Sequence, residues 1–238
     1  KGMRLVEDMD DLKRQFDSAR KEAQNAFGDS GVYIEKYIKS PRHIEVQLMA
    51  DEHGNVILLG ARDCSLQMNH QKVIEEAPPE DVDQETLDRL YETSVRAAKS
   101  VSYTSVGTIE YLLDRDGSYY FMEMNTRIQV EHPITEMVTG IDIVRDQVLI
   151  ACGERLAYKQ EDILIRGHAI ECRINAYDSD NNFLPSVGKI QALNMPGGYG
   201  VRVDSAIYQG YEVLPFYDSM LAKVISYGRD RKEAIRIM

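Results

Sequence analysis

The segment from Glu123 to Glu131, Glu-Met-Asn-Thr-Arg-Ile-Gln-Val-Glu, puts a carboxylate, an amide, a guanidinium, a second amide and a second carboxylate at its odd-numbered positions. Met, Thr, Ile and Val lie between them. In an extended chain residues two apart share a face. The plain reading is an amphipathic strand with its polar face in water, but such faces favour Lys, Thr and Ser. This one offers metal-type oxygens at Glu123 and Asn125 and an anion-binding pair, Arg127 and Gln129, ahead of Glu131. As straight strand the segment would span about 26 Å, so either the chain bends after Asn125 or the site is elongated. His132-Pro133 is expected to terminate the strand.

A hairpin should precede it, residues 108–113 and 118–124 joined by Asp114-Arg115-Asp116-Gly117. If Leu113 pairs with Ser118, Glu110 lies opposite Phe121, and Glu110, Phe121, Glu123 and Asn125 project together. Glu110 and Glu123 are then diagonal neighbours about 7–8 Å apart by backbone. A loop of different parity would put Glu110 on the other face. Converging carboxylates repel unless a cation sits between them. Two carboxylates plus an amide oxygen suit Mg²⁺ or Mn²⁺ that keeps waters and phosphate oxygens as its other ligands. The pattern therefore points to a nucleotide-bound metal.

Other candidates are less specific. Residues 63–72 (Asp-Cys-Ser-Leu-Gln-Met-Asn-His-Gln-Lys) concentrate polar groups that a solvated loop would also explain. Glu35-Lys36 at a strand end could hydrogen-bond a base, or be an ordinary exposed pair. Pro196-Gly197-Gly198-Tyr199-Gly200 has the glycines of a phosphate loop without the strand-loop-helix context, so a turn is expected. Arg173, opposite in alternation to Cys172 and Ile174, faces a cleft or water.

The elements that must position these groups follow from periodicity. Leu12, Phe16, Ala19, Ala23 and Phe27 mark a helix stopped by Gly28, and Leu87, Leu90, Ala97, Ala98 and Val101 an inward helix face over 83–101. Residues 32–38 read as a strand, and 43–50 with 56–61 as a hairpin. A third helix is expected over 141–151, and a fourth over 231–238. Short strands follow at 167–175, 189–194, 200–203 and 220–226, with a domain boundary near residue 160. Helices alternating with antiparallel hairpins predict an α+β fold rather than a doubly wound parallel sheet.

The 238 residues are 43% hydrophobic and 28% charged, sufficient for a core without disulfide or metal staples. Lys plus Arg number 28 against 39 Asp plus Glu, and the net charge of -11 argues against a nucleic acid partner. No apolar run approaches the roughly 18–20 residues of a membrane helix, so a soluble chain with no membrane partner is expected. Cys64, Cys152 and Cys172 form no CxxC pair and fit reduced thiols in a cytosol-like compartment. The start, Lys1-Gly2-Met3-Arg4, lacks a signal-peptide pattern, and the end falls inside a helical pattern, so both ends read as cut.

Glu-Met-Asn-Thr-Arg-Ile-Gln-Val-Glu-His-Pro (123–133), Arg-Asp-Cys-Ser-Leu-Gln (62–67), His70-Gln71-Lys72, Glu75-Glu76-Ala77-Pro78, Arg-Gly-His-Ala-Ile-Glu-Cys-Arg-Ile-Asn (166–175) and Tyr217-Asp218-Ser219-Met220 together resemble biotin carboxylase. That family is the ATP-grasp component of acetyl-CoA carboxylase and related biotin-dependent carboxylases. The resemblance covers essentially the whole chain and implies three regions. These are a remnant of the ATP-grasp lid over 1–37, an ATP-grasp catalytic subdomain over 38–160, and an incomplete β-rich C-terminal domain over 161–238.

The implied reaction uses MgATP (or Mn²⁺) to activate bicarbonate as carboxyphosphate and then carboxylates biotin on a carrier protein. By position, Glu110, Glu123 and Asn125 would hold metal. Lys72, Arg127, Gln129 and the Val130 amide would bind bicarbonate, and Glu131 would be the base. Arg173 would stabilise the enolate-like biotin oxygen. Glu35, Lys36, Tyr37, Ile38, His43, Gln67 and His70 would contact the adenosine part of ATP. A biotin carboxyl carrier, a carboxyltransferase component, a homodimer and a cytoplasmic setting, or a mitochondrial one in a eukaryote, are implied too.

Departures are Ala61 for the usual Glu, Met68-Asn69 for a common Arg-Arg, and Val187 for Pro. The glycine-rich lid loop lies upstream of Lys1 in the family, so the piece alone is expected to be inactive. The alternatives are another bicarbonate-activating ATP-grasp ligase, similar to carbamoyl phosphate synthetase, and a non-catalytic fragment.

Overall fold

The computed structural model describes residues 2–238; Lys1, first residue of the expected lid remnant, lies outside them. The chain divides into two units, Lys1–Ser40 and Pro41–Met238. In the first, α1 (Met9–Phe27) starts at Asp8, whose side chain accepts from the Asp11 amide, and stops at Gly28 in the left-handed conformation. Leu12, Phe16, Ala19 and Ala23 are half-buried along one face. Residues 32–38 are not the expected strand. Their unit holds no described strand to complete a ladder, and Tyr33, Ile34 and Tyr37 are exposed.

The second unit is built on one sheet. Its strands are β1 (Arg42–Ala50), β2 (Val56–Met68), β3 (Gln71–Ala77), β4 (Ser105–Leu113), β5 (Tyr119–Asn125), β6 (His168–Asn175), β10 (Val201–Ser205) and β12 (Met220–Gly228). They run in the order β10-β12-β6-β3-β2-β1-β4-β5, and every pairing is antiparallel. Two short pairs lie outside it, β7 (Tyr177–Asp178) with β8 (Leu184–Pro185) and β9 (Gly188–Lys189) with β11 (Glu212–Val213). The helices are α2 (Gln84–Ser100), α3 (His132–Thr139), α4 (Ile143–Ala151) and α5 (Arg231–Ile237). The architecture is the expected α+β arrangement.

Both faces of the sheet are covered, which is why eight of the nine β1 residues are buried. Ile44, Val46 and Leu48 pack with Leu58, Ile109 and Tyr111 against Leu90 and Ala98 of α2. On the opposite face Met49, Ile57, Leu59 and Val106 meet Ile143 and Ile150 of α4. Further along, Ala77, Ala169 and Ile225 meet Ile134 and Val138 of α3. Each large aliphatic buried this way contributes about 1.5–3 kcal/mol. The alternate polar residues of β1, His43, Glu45 and Gln47, are therefore buried rather than solvated.

Two bulges decide what shares that face. Between β1 and β2 the register shifts at Gly60, so Leu48 faces Leu58 but Glu45 faces Arg62. Regular pairing would have turned Arg62 toward the α2 core. Gly60 takes φ 94°, and a Cβ there would meet Ile165 Cδ1 at 2.9 Å. Between β4 and β5 Leu113 pairs with Tyr119, not Ser118, and a second bulge at Met122 brings Glu110 opposite Glu123. The longer loop and the bulge cancel in parity, so the two carboxylates share a face as expected, directly opposed rather than diagonal. Phe121 departs from that face: it pairs with Tyr111 and meets its ring edge-on at 6.5 Å.

Other differences are local. Residues 63–72 continue β2 and turn back through Asn69 and His70 into β3. The chain bends after Asn125, and His132-Pro133 opens α3 rather than ending a strand, because proline's missing N–H costs nothing in a helix's first turn. Residues 190–194 form no strand, since β9 is only two residues long. Val101, expected inward, is the exposed residue after α2. Cys64 is buried, Cys172 half-buried and Cys152 exposed, and all three are free. Among the described residues no helix is long and apolar enough to cross a membrane.

Candidate active site

Arg62 is fully buried, and its guanidinium donates to Glu45, Gln47, Thr108, Gln129 and Thr135 at 2.8–3.2 Å. It thereby ties β1, β2, β4 and the start of α3 together. One step outward, Lys72 of β3 donates to Glu45, to Glu131 at 2.7 Å and to Glu110 at 3.1 Å. Burial works against a charged Lys72, but Glu45, Glu131 and Glu110 outweigh it and raise its pKa. Glu131 is the N-cap residue of α3 and is buried. Burial would raise its pKa, yet Arg62 and Lys72, then Arg173, hold it at about 2, so it is an ionised base at neutral pH. Glu45, more deeply enclosed, is pushed upward by burial against the pull of Arg62 and Lys72.

Glu110 is held low, at about 2, where hydrogen bonds from His43 and Lys72 overcome burial. His43 Nε2 lies 2.6 Å from its Oε2, and Gln129 Nε2 donates to its Oε1 at 2.6 Å. Asn125 donates to Glu110 at 2.8 Å and to Glu123 at 3.2 Å, bracketing the opposed pair. Glu110, Glu123 and Asn125 thus converge, and Glu123 remains exposed at the strand end. Two carboxylates and an amide, open on one side, fit the donor set of a hard divalent cation that retains water and phosphate oxygens.

On the other side of Glu131, Arg173 of β6 reaches its Oε2 at 3.0 Å while its Nε donates to Glu75 Oε1 at 2.6 Å. Lys223, paired with Arg173 across β6 and β12, donates to the Val130 carbonyl at 2.8 Å. Glu131 therefore lies between Lys72 and Arg173, one ion pair on each oxygen. The bend after Asn125 makes this convergence possible: Gln129 and Glu131 turn back toward the sheet, whereas Arg127 stays exposed at the bend, donating to the Ile128 carbonyl.

Of the expected adenosine contacts, Gln67 and His43 come together at 3.1 Å. His70 sits exposed in the β2–β3 turn. Glu35, Lys36, Tyr37 and Ile38 belong to the first unit, where Ile38 is buried and the other three are exposed. Asn69 takes φ 52°, a left-handed position that asparagine tolerates better than most residues with a Cβ. Ala61 is buried beneath α2, and Val187 is exposed.

Four site residues were not singled out from the sequence: Glu45, Arg62, Glu75 and Lys223. The alternation in 43–50 marked Glu45 as polar, but nothing local shows that this face is covered. Arg62 joins the site across the bulged β1–β2 hairpin, and Glu75 and Lys223 through pairings with the distant strand β6.

The ATP-binding domain of the carbamoyl-phosphate synthase L chain matches residues 1–159, and the biotin carboxylase C-terminal domain matches 171–238. The chain is 54% identical over 238 residues to a biotin carboxylase of Nostoc, covering all of this chain and 53% of that protein. It is 52% identical over 239 residues to biotin carboxylase 1 of Bacillus subtilis, covering 100% of this chain and 53% of that one. Among solved structures, a Campylobacter jejuni biotin carboxylase with a bound nucleotide superimposes with a TM-score of 0.93 at 50% identity, over 99% of this chain and 52% of that one. The biotin carboxylase domain of Hydrogenobacter thermophilus 2-oxoglutarate carboxylase, solved with MgADP and bicarbonate, gives 0.93 at 48% identity, over 99% and 52%. The chain spans about half the length of the curated relatives it matches.

Proposed function

The chain belongs to the biotin carboxylase family, and from that premise we propose that the complete protein carboxylates carrier-bound biotin with bicarbonate at the expense of MgATP. The observation that carries the reading is Glu131, ionised at the start of α3 and held between Lys72 and Arg173. Glu131 takes the bicarbonate proton, so a bicarbonate oxygen attacks the γ-phosphoryl group and forms carboxyphosphate with release of ADP. Lys72, Gln129, the Val130 amide and the exposed Arg127 gather the anion, and a positioned anion beside a base reacts as if at high local concentration.

Glu110, Glu123 and Asn125 would hold Mg²⁺ or Mn²⁺, which when bound neutralises charge on the phosphates. His43, Gln67 and His70 take the adenosine part of ATP, and the resemblance alone assigns Glu35, Lys36, Tyr37 and Ile38 of the first unit to the same ligand. When the carboxyl group passes to the ureido nitrogen of biotin and phosphate leaves, Arg173 stabilises the charge that develops on the biotin oxygen. A biotin carboxyl carrier, a carboxyltransferase component, a homodimer and a cytoplasmic setting complete the reading. The division into lid remnant, catalytic subdomain and C-terminal domain at about residues 37 and 160 belongs to it too. A carbamoyl phosphate synthetase-like activity shares the first step but gives Arg173 no role.

The test is phosphate release by the complete protein with and without free biotin. Glu131→Gln should lower bicarbonate-dependent ATP cleavage and carboxylation together, by about 10²–10⁴-fold. Arg173→Ala should lower carboxylation far more than biotin-independent ATP cleavage. Equal losses in both variants would overturn the assignment.

A further inference from the structure

Behind Arg173 the sheet buries a second acidic pair. Glu75 of β3 and Glu171 of β6 are direct partners in the ladder, and both are completely buried. Directly opposed Cβ atoms lie about 4.5–5.5 Å apart, close enough for the carboxyl groups to meet. Glu75 spends one oxygen on Arg173 Nε. Its other oxygen and both oxygens of Glu171 have no hydrogen-bond partner. Two ionised carboxylates in such a place are untenable, because a buried charge needs a partner and like charges in contact raise one another's proton affinity.

We propose that Glu75 and Glu171 share a single proton, carried by Glu171 and donated to the free oxygen of Glu75, and that this dyad positions Arg173. One O–H···O bond satisfies a donor and an acceptor at once. Glu75 keeps its negative charge for Arg173, while the neutral partner adds no second anion to compete for the guanidinium. The charges facing the dyad are Arg173 on its own strand, Lys223 on β12, Glu131 at the start of α3 and Glu45 on β1. Lys223 is committed to the Val130 carbonyl and leaves Glu171 without an ion pair. In keeping with the geometry, burial and then Glu75 push Glu171 up to about 9. Burial, opposed by Arg173, pushes Glu75 to about 7.

The dyad is a positioning pair. Its effect on turnover rests on the role of Arg173 proposed above, whereas the shared proton does not. Glu171→Gln replaces the O–H donor by an amide N–H donor, and Glu171→Leu removes the donor. Infrared spectroscopy of the chain at neutral pH should show a buried protonated carboxyl band, absent from Glu171→Gln and lost as the pH of the wild type is raised through the alkaline range.

Above its ordinary pKa of 4.5 an unfolded Glu171 releases its proton while the folded one retains it. Wild-type stability must then fall between about pH 4.5 and 9 relative to Glu171→Gln, so the variant's melting-temperature advantage should grow with pH across that window. In the complete protein, Glu171→Gln should keep biotin-coupled phosphate release within about twofold, and Glu171→Leu should lose coupling while retaining biotin-independent ATP cleavage. Absence of the band, or a melting-temperature difference that does not change with pH, would overturn the shared proton. A band and pH trend as expected, with coupling intact in Glu171→Leu, would overturn the positioning role alone.

Discussion

Glu110 stands directly across the ladder from Glu123, and the Asn125 side chain donates to both carboxylates. Glu110 is spoken for by His43, Lys72 and Gln129 as well, whereas Glu123 is exposed and draws only on Asn125 among the side-chain bonds described. Metal affinity should therefore respond most cleanly to Glu123. Glu123→Gln keeps an oxygen and loses the charge, so the Mg²⁺ concentration for half-maximal ATP cleavage should rise by roughly tenfold or more, since even a partner of a metal ligand is worth about that. A metal titration of the rate in the complete protein checks this. An unchanged midpoint refutes it.

Lys223 grips the peptide between Val130 and Glu131 from the neighbouring strand β12. Lys223→Met retains the apolar stem but drops a charged donor worth about 1.5–3 kcal/mol, or roughly 10–100-fold. On the proposed reading, in which the peptide held by Lys223 belongs to the bicarbonate site, the loss should appear as a higher KM for bicarbonate with a smaller change in kcat. Steady-state kinetics with bicarbonate varied decides between this and a uniform loss of turnover.

Arg62 is enclosed with five hydrogen-bonding partners, and no water can replace it. Arg62→Met leaves the Glu45 carboxylate in a low-dielectric interior without the guanidinium that bonds its Oε2, with Lys72 and His43 on the side of Oε1. A loss of about 3–5 kcal/mol is expected, measurable as a lower urea midpoint at unchanged slope.

Glu76 links β3 to the last helix: His168 lies 2.9 Å from its Oε2, and Arg231 donates to both oxygens at 2.6 and 3.2 Å. Burial opposes its ionisation, but these bonds hold it at about 2, below the ordinary 4.5. With a depressed folded pKa, the stabilisation is complete above pH 4.5 and disappears as the pH falls toward 2. Glu76→Gln should thus melt lower than wild type at pH 6, and the gap should close in acid. A gap that persists at pH 2 would show that the ionised carboxylate is not its source.

The convergence of Glu110, Glu123 and Asn125 was legible because alternation is local: the three share a face whenever the turn and ladder together keep parity. The register was not legible, because a five-residue connection and the bulge at Met122 each change parity and together restore it. A bend after Asn125 was one of the two readings that the length of the segment left open, whereas the helix at His132 was hidden by an alternation that continues past the end of the strand. Proline at 133 reads equally as a stop and as a first-turn residue. Glu75, Glu171 and Lys223 depend on which distant strands become neighbours, and no periodic pattern carries that information. Arg62 lies just beyond the expected hairpin, and the bulge at Gly60 that aims it at Glu45 was not read, although a lone glycine inside a strand pattern is the kind of signal that marks one.

The placement of β3 between β2 and β6 has a consequence for the chain as it emerges from the ribosome. β2 and β3 are joined by a tight hairpin and can pair as soon as both are made, but β6 is synthesised much later. Until then β3 is an open edge, the kind of surface on which nascent chains stick to one another. It carries Glu75 and Glu76, charges that a second strand cannot cover without their later partners, and such inward charges are a means by which edges resist wrong pairing. Glu75 and Glu76 thus begin as a guard on an open strand edge and change occupation, to ion pairs with Arg173 and His168, when residues 168–175 arrive.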